Sequence, residues 1–91
     1  MFVVIATVNA KTGKLRKSPD IISRGFVYLR ENQQLLSEAR VLVKRTIEKH
    51  TERMHPLDLE YVKEKVTDDL SGFLMQKTSK TPMVIPVLIG I

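Results

Sequence analysis

Pro19-Asp20-Ile21-Ile22-Ser23-Arg24-Gly25-Phe26-Val27-Tyr28 is the stretch at which the chain turns from strands to helices. It is apolar at Ile21, Ile22, Phe26 and Val27, yet it carries Asp20, Ser23 and Arg24 before Gly25. Surface loops rarely hold so many apolar residues, and core strands rarely hold so many polar ones. The stretch therefore reads as a semi-buried connector whose polar side chains are tied to backbone groups. A buried polar atom left without a partner costs about 1–3 kcal/mol.

Upstream of it, Phe2–Val8 is rich in β-branched residues and apolar at both alternating sets of positions. Such a strand is covered on both faces or paired on both edges. Asn9-Ala10-Lys11-Thr12-Gly13 supplies turn chemistry, with Gly13 free to take positive φ. The pattern predicts an antiparallel hairpin of Phe2–Val8 with residues 14–22. Pro19 has no N–H for a ladder, so the second strand is an edge or is kinked there.

Downstream, Asn32 is a suitable N-cap. Leu35, Leu36, Ala39, Leu42, Val43 and Ile47 then recur at helical spacing, predicting a helix to about His50. Asp58 is the next N-cap, with Leu57 and Val62 spaced for a hydrophobic staple. Leu59, Val62, Val66, Leu70, Phe73 and Leu74 form the stripe of a second helix. Gly72 inside it costs about 1 kcal/mol relative to Ala, which close packing against the first helix would explain. Lys77 and Lys80 suit its C-terminal dipole. Pro82 closes it, and residues 83–89 make a last strand that Pro86 confines to an edge.

Placing the all-apolar first strand in the middle gives the order second–first–last. Two antiparallel helices return the chain to its starting end, so the last strand runs parallel to the first. The expected fold is α+β: a two-layer β-β-α-α-β domain, with two helices on one face of a three-stranded mixed sheet.

Ninety-one residues make one domain, residues 1–91, and a hydrophobic fraction of 43% permits a core. The absence of cysteine removes disulfide frameworks and thiolate metal sites and fits the cytoplasm. No apolar run reaches membrane-span length, and no signal peptide is evident. The net charge of +5 is uneven. Lys11, Lys14, Arg16, Lys17, Arg24 and Arg30 face only Asp20 in the first thirty residues, whereas residues 51–72 lean acidic. Lys11, Lys14, Arg16, Lys17 and Arg24 are thus candidate contacts for RNA phosphate or a partner. The same cations also read as a solvated hairpin. Arg24 could clamp Asp20 or a partner's carboxylate, reach a phosphate, or simply hold the connector.

Catalytic constellations do not emerge. His50 and His55 are five apart, whereas a helical His pair needs a spacing of three or four to share a face. Asp68-Asp69 and Glu60 with Glu64 sit among lysines, as a solvated helix face would. Ser23 and Ser79 lack a placed base, and Gly13 and Gly25 are isolated. The aromatics Phe2, Phe26, Tyr28, Tyr61 and Phe73 do not make a stacking platform. The expectation is no catalytic, cofactor or metal site in this chain.

The opening stretch, with Arg30-Glu31 before the helix cap, resembles the ribonuclease J C-terminal domain. So do Phe73-Leu74, Lys77-Thr78 and Pro82-Met83-Val84-Ile85-Pro86-Val87, in order and at matching spacing. The resemblance covers nearly the whole chain; residues 50–57 match nothing in particular. It implies a parent ribonuclease of the metallo-β-lactamase superfamily with an inserted β-CASP domain. That enzyme works as a 5′-to-3′ exonuclease and cuts internally, using zinc held by His and Asp in its catalytic part. None of those ligand motifs lies in these residues. For this domain the resemblance implies three strands facing two helices, and a role in oligomer assembly and full activity. Asp20, Ser23, Arg24 and Gly25 carry over as family-pattern residues of structural or interface role.

The resulting expectation is a non-catalytic assembly domain of an RNA-processing and decay enzyme, supporting its oligomerisation and activity. The partners are a second copy, as a homo-oligomeric dimer, or the parent's catalytic domain, with RNA reached through the parent and no membrane. The alternative is an RNA-binding accessory module using the basic hairpin.

Overall fold

The structure is a computed structural model, and it describes residues 1–23, 33–54 and 56–91. The order is β1 (Phe2–Val8), β2 (Asp20–Ser23), α1 (Gln33–Thr51), α2 (Leu59–Thr78) and β3 (Val84–Gly90). The three strands form one mixed sheet in the order β2-β1-β3. β1 pairs antiparallel with β2, Phe2 opposite Ser23 and Ile5 opposite Asp20. It pairs parallel with β3 from Phe2 opposite Val84 to Val8 opposite Gly90. This is the α+β arrangement that the pattern predicts.

β1 is central because it is the strand with apolar side chains at every position but one, and here it is paired on both edges. Its residues alternate: Phe2, Val4, Ala6 and Val8 are buried, while Val3, Ile5 and Thr7 are half-exposed. Among the described residues, one face only is covered by helices. Backbone bonds extend the β1–β3 pairing at both ends, from the Phe2 N–H to the Met83 oxygen at 2.7 Å and from the Ile91 N–H to the Val8 oxygen at 3.0 Å. Pro86 sits opposite Val4 in mid-ladder. A proline fits there because β3 is an edge and its nitrogen can face outward.

The hairpin departs from expectation. Its second strand begins at Asp20, not at residue 14; before that only Leu15 bridges Val8. Between the two pairings β1 contributes Ala6 and Thr7, whereas the other segment contributes Arg16, Lys17, Ser18 and Pro19. The surplus leaves the ladder as a bulge ending at the buried Pro19, whose missing N–H makes it a natural place for pairing to break. The turn is built as predicted. Asn9 Oδ1 accepts from the N–H groups of Lys11 (2.8 Å) and Thr12 (3.2 Å), and Gly13 has φ 76°. An added Cβ on Gly13 would lie 2.5 Å from the Thr51 Cβ, so this glycine is also where the turn seats against the end of α1.

The helices pack antiparallel on the covered face. Their cores are Leu35, Ala39, Val43 and Ile47 of α1 and Val62, Val66, Leu70 and Leu74 of α2, closed over Phe2, Val4, Ala6, Val8 and Leu88. α1 ends at Thr51, where the pattern places its end, and also buries Thr46 and Thr51. The Thr46 hydroxyl donates to Asp69 Oδ2 at 2.8 Å, joining the helices, and the Thr51 hydroxyl donates back to the Ile47 oxygen at 2.8 Å. Asp58 caps α2 by accepting from the Tyr61 N–H at 3.2 Å. α2 ends at Ser79 in the left-handed conformation, φ 61°, its N–H bonded to the Met75 oxygen at 2.8 Å. Gly72 does not serve close packing: it is exposed, and nothing lies within 4 Å of where its Cβ would be.

Candidate functional site

Alternation along the three strands puts one set of side chains under the helices and the other on an open face. Register aligns that open set in rows across the sheet. Ile22, Val3 and Ile85 form one row, Asp20, Ile5 and Val87 the next, and Thr7 with Ile89 a third. Neighbouring strands lie about 4.8 Å apart, so each full row spans about 10 Å. Ile22, Ile85 and Ile89 keep 45%, 37% and 43% of their surface exposed. Met83 and Ile91, both exposed, continue the β3 alternation beyond its two ends. Among the described residues this face is apolar apart from Thr7 and one carboxylate, Asp20, at its margin, a composition that interaction surfaces share.

The signal for this face was present in the sequence as apolarity at every second position of the first and last strands. Apolarity on both sides of the central strand fits either cover on both faces or pairing on both edges, and spacing alone does not say which of two sheet faces the helices take.

The hairpin cations do not act as one group. Lys11 lies exposed in the turn. Arg16 donates from Nη2 to the Ile91 oxygen at 3.0 Å, tying the bulge to the end of the β3 pairing. Lys17 pairs with Asp20 at 3.7 Å, both side chains being well exposed. Asp20 is therefore held by Lys17, across the bulge. Ser23 closes β2 opposite Phe2. Arg24 and Gly25 lie outside the described residues, as do Asn32 and His55.

Lys14 is brought into different company. It lines a groove between the hairpin turn and α1, together with Lys44, Arg45 and Lys49 and the carboxylates of Glu48 and Glu52. The helical residues fall at spacings that share one face of α1. Sequence reading missed the three helical cations, because they stand thirty or more positions from Lys14 and only the seating of Gly13 on Thr51 brings the two together.

Among the described residues, no three His, Cys, Asp or Glu side chains are grouped to hold a metal ion, and none fits the zinc of a β-lactamase-type centre. His50 instead meets Tyr61 edge-on, ring centres 5.8 Å apart, and the Lys65 ammonium stands 5.3 Å from the same Tyr61 ring. No helix among the described residues is long and apolar enough to cross a membrane.

A three-stranded mixed sheet under two helices, with one apolar face left open, describes an accessory domain. The chain belongs to the ribonuclease J C-terminal domain family, whose sequence model matches residues 1–91. It is similar to the ribonuclease J 2 of Staphylococcus epidermidis, with 33% identity over 88 residues covering 97% of this chain. The ribonuclease J 2 proteins of Staphylococcus aureus and Staphylococcus saprophyticus match to the same extent. The chain spans 16% of the length of these relatives.

Proposed function

We propose that this chain is the non-catalytic C-terminal assembly domain of a ribonuclease J-like, zinc-dependent 5′-to-3′ exo- and endoribonuclease of RNA processing and decay. In this reading the zinc belongs to the parent's catalytic part, the location is cytoplasmic, and the domain supports oligomerisation and full activity of the parent. The observation that carries the reading is the open apolar face of the sheet in a chain of this family. Among the described residues the one charge on that face is Asp20, paired with Lys17, so the face can meet a copy of itself about a two-fold axis without strong like-charge repulsion. The outer edges of β2 and β3 offer further backbone groups, with Pro19 and Pro86 limiting which stretches can pair.

The test is the solution mass of the chain by light scattering across a concentration series, for the native sequence and for Ile22→Lys/Ile85→Lys. Concentration-dependent dimer in the first and monomer in the second is the expected result. Monomer in both, together with an unchanged oligomeric state when the same pair is placed in a full-length parent, would remove the assembly role. A change in the parent alone would transfer the face to the catalytic domain.

A further inference from the structure

We propose that the groove between the hairpin turn and α1 binds the phosphate backbone of an RNA strand. Lys14, Lys44, Arg45 and Lys49 line it, all exposed, and none makes an ion pair among the described residues. Three cations elsewhere form ion pairs, Lys17 with Asp20, Lys63 with Glu60 and Lys77 with Glu38, whereas others without an ion pair among the described residues, such as Lys11 and Arg53, are not gathered in this groove. The groove thus gathers four cations against two carboxylates, a positive excess of the kind a polyanion site uses.

The arrangement is held in place. Gly13 packs on Thr51, so Lys14 is carried by a turn that is fixed to the helix bearing the other three cations. Leu15 and Thr12 complete the walls. The end of α1 would ordinarily present free carbonyls to an incoming anion. Here the Glu48 oxygen accepts from the Glu52 N–H and the Thr51 oxygen from the Met54 N–H, at 3.1 and 3.2 Å, which quenches part of that repulsion.

Glu48 and Glu52 lower the net charge of the lining to +2, from four cations and two carboxylates. Binding is accordingly modest and salt-sensitive, in the range of non-specific contacts, roughly 10⁻⁴–10⁻⁶ M. The groove has no aromatic wall, so bases do not stack in it and sequence is not read. Three of its four cations stand on α1, which packs on the covered side of the sheet. Family membership enters only in choosing RNA over other polyanions.

The experiment is fluorescence anisotropy of the 91-residue chain with a labelled 20-nucleotide oligouridine, from 25 to 300 mM salt. Four engaged cations predict a log–log salt slope of about −3, or a loss of about 50-fold between 50 and 200 mM. Lys44→Gln/Lys49→Gln should halve that slope, whereas Lys63→Gln/Lys65→Gln on α2 should leave it unchanged. Glu48→Gln should tighten binding about three-fold, a gain that a purely structural role for α1 does not produce. Thermal unfolding of each variant checks that it folds. No binding at 25 mM salt, equal losses in both lysine pairs, or an unmoved Glu48→Gln affinity would overturn the site. Displacement of the RNA by polyglutamate at equal charge concentration would assign the groove to an acidic protein segment and overturn it also.

Discussion

The two faces of the sheet start from similar composition and end differently. Beneath the helices, Phe2, Val4, Ala6 and Val8 are no more than 1% exposed. On the other side Val3, Ile5 and Val87 are half-exposed, and Ile22, Ile85 and Ile89 more so. The strands carry enough apolar residues for two cores, and the chain folds only one. What differs is not the strands but the supply of covering elements: among the described residues both amphipathic helices go to one side and none to the other.

If the covered face is the fold's only core, damage there should unfold the chain. Leu70→Ala on α2 should cost about 2–5 kcal/mol, seen as a lower denaturant midpoint. A loss under about 1 kcal/mol would mean that the open face contributes more to folding than its exposure suggests. Next comes the joint between sheet and helix layer. Gly13→Ala forces a left-handed alanine against Thr51 and should destabilise by about 2–3 kcal/mol. Neighbouring residues then give the sharpest contrast. Val4→Thr buries a hydroxyl and should cost about 1–3 kcal/mol, while Val3→Thr, one position away on the open face, should stay within about 0.5 kcal/mol. Similar losses at both sites in dilute solution would break the distinction. The smallest effect concerns a surface that belongs to neither face: Gly72→Ala should stabilise by about 1 kcal/mol, since nothing occupies the space of its methyl group.

Most of this architecture was legible in the sequence because it rests on local pattern. The uninterrupted apolarity of Phe2–Val8 marks the central strand, and the 3.6-residue periodicity of Leu35 to Ile47 and Leu59 to Leu74 marks two helices sharing a side. Pro86 marks an edge, and β3 is one. What escaped depends on tertiary placement. The bulge at Arg16 to Pro19 shortens the second strand, because register after a turn is set by three-dimensional twist as well as by alternation. Asp69 is exposed, as the polar helix face implies, but its bond from the hydroxyl of buried Thr46 on the other helix is a tertiary contact that spacing does not show. The open face and the groove are likewise products of packing: neither has a contiguous signature, and both draw on residues from distant parts of the chain.

The parallel pairing of β1 with β3 carries a kinetic consequence. Phe2 finds Val84, and Val8 finds Gly90, only after nearly the whole domain has been synthesised. Until then one edge of the central strand has no partner, and the hairpin and helices must wait on the largest loop closure the chain can make. Non-local pairing of this kind slows folding relative to a helical bundle of equal size. It also leaves the nascent domain exposed to other strands for longest at its most apolar segment. The β3 strand therefore acts as a latch: its arrival closes the second edge of the central strand and completes the sheet.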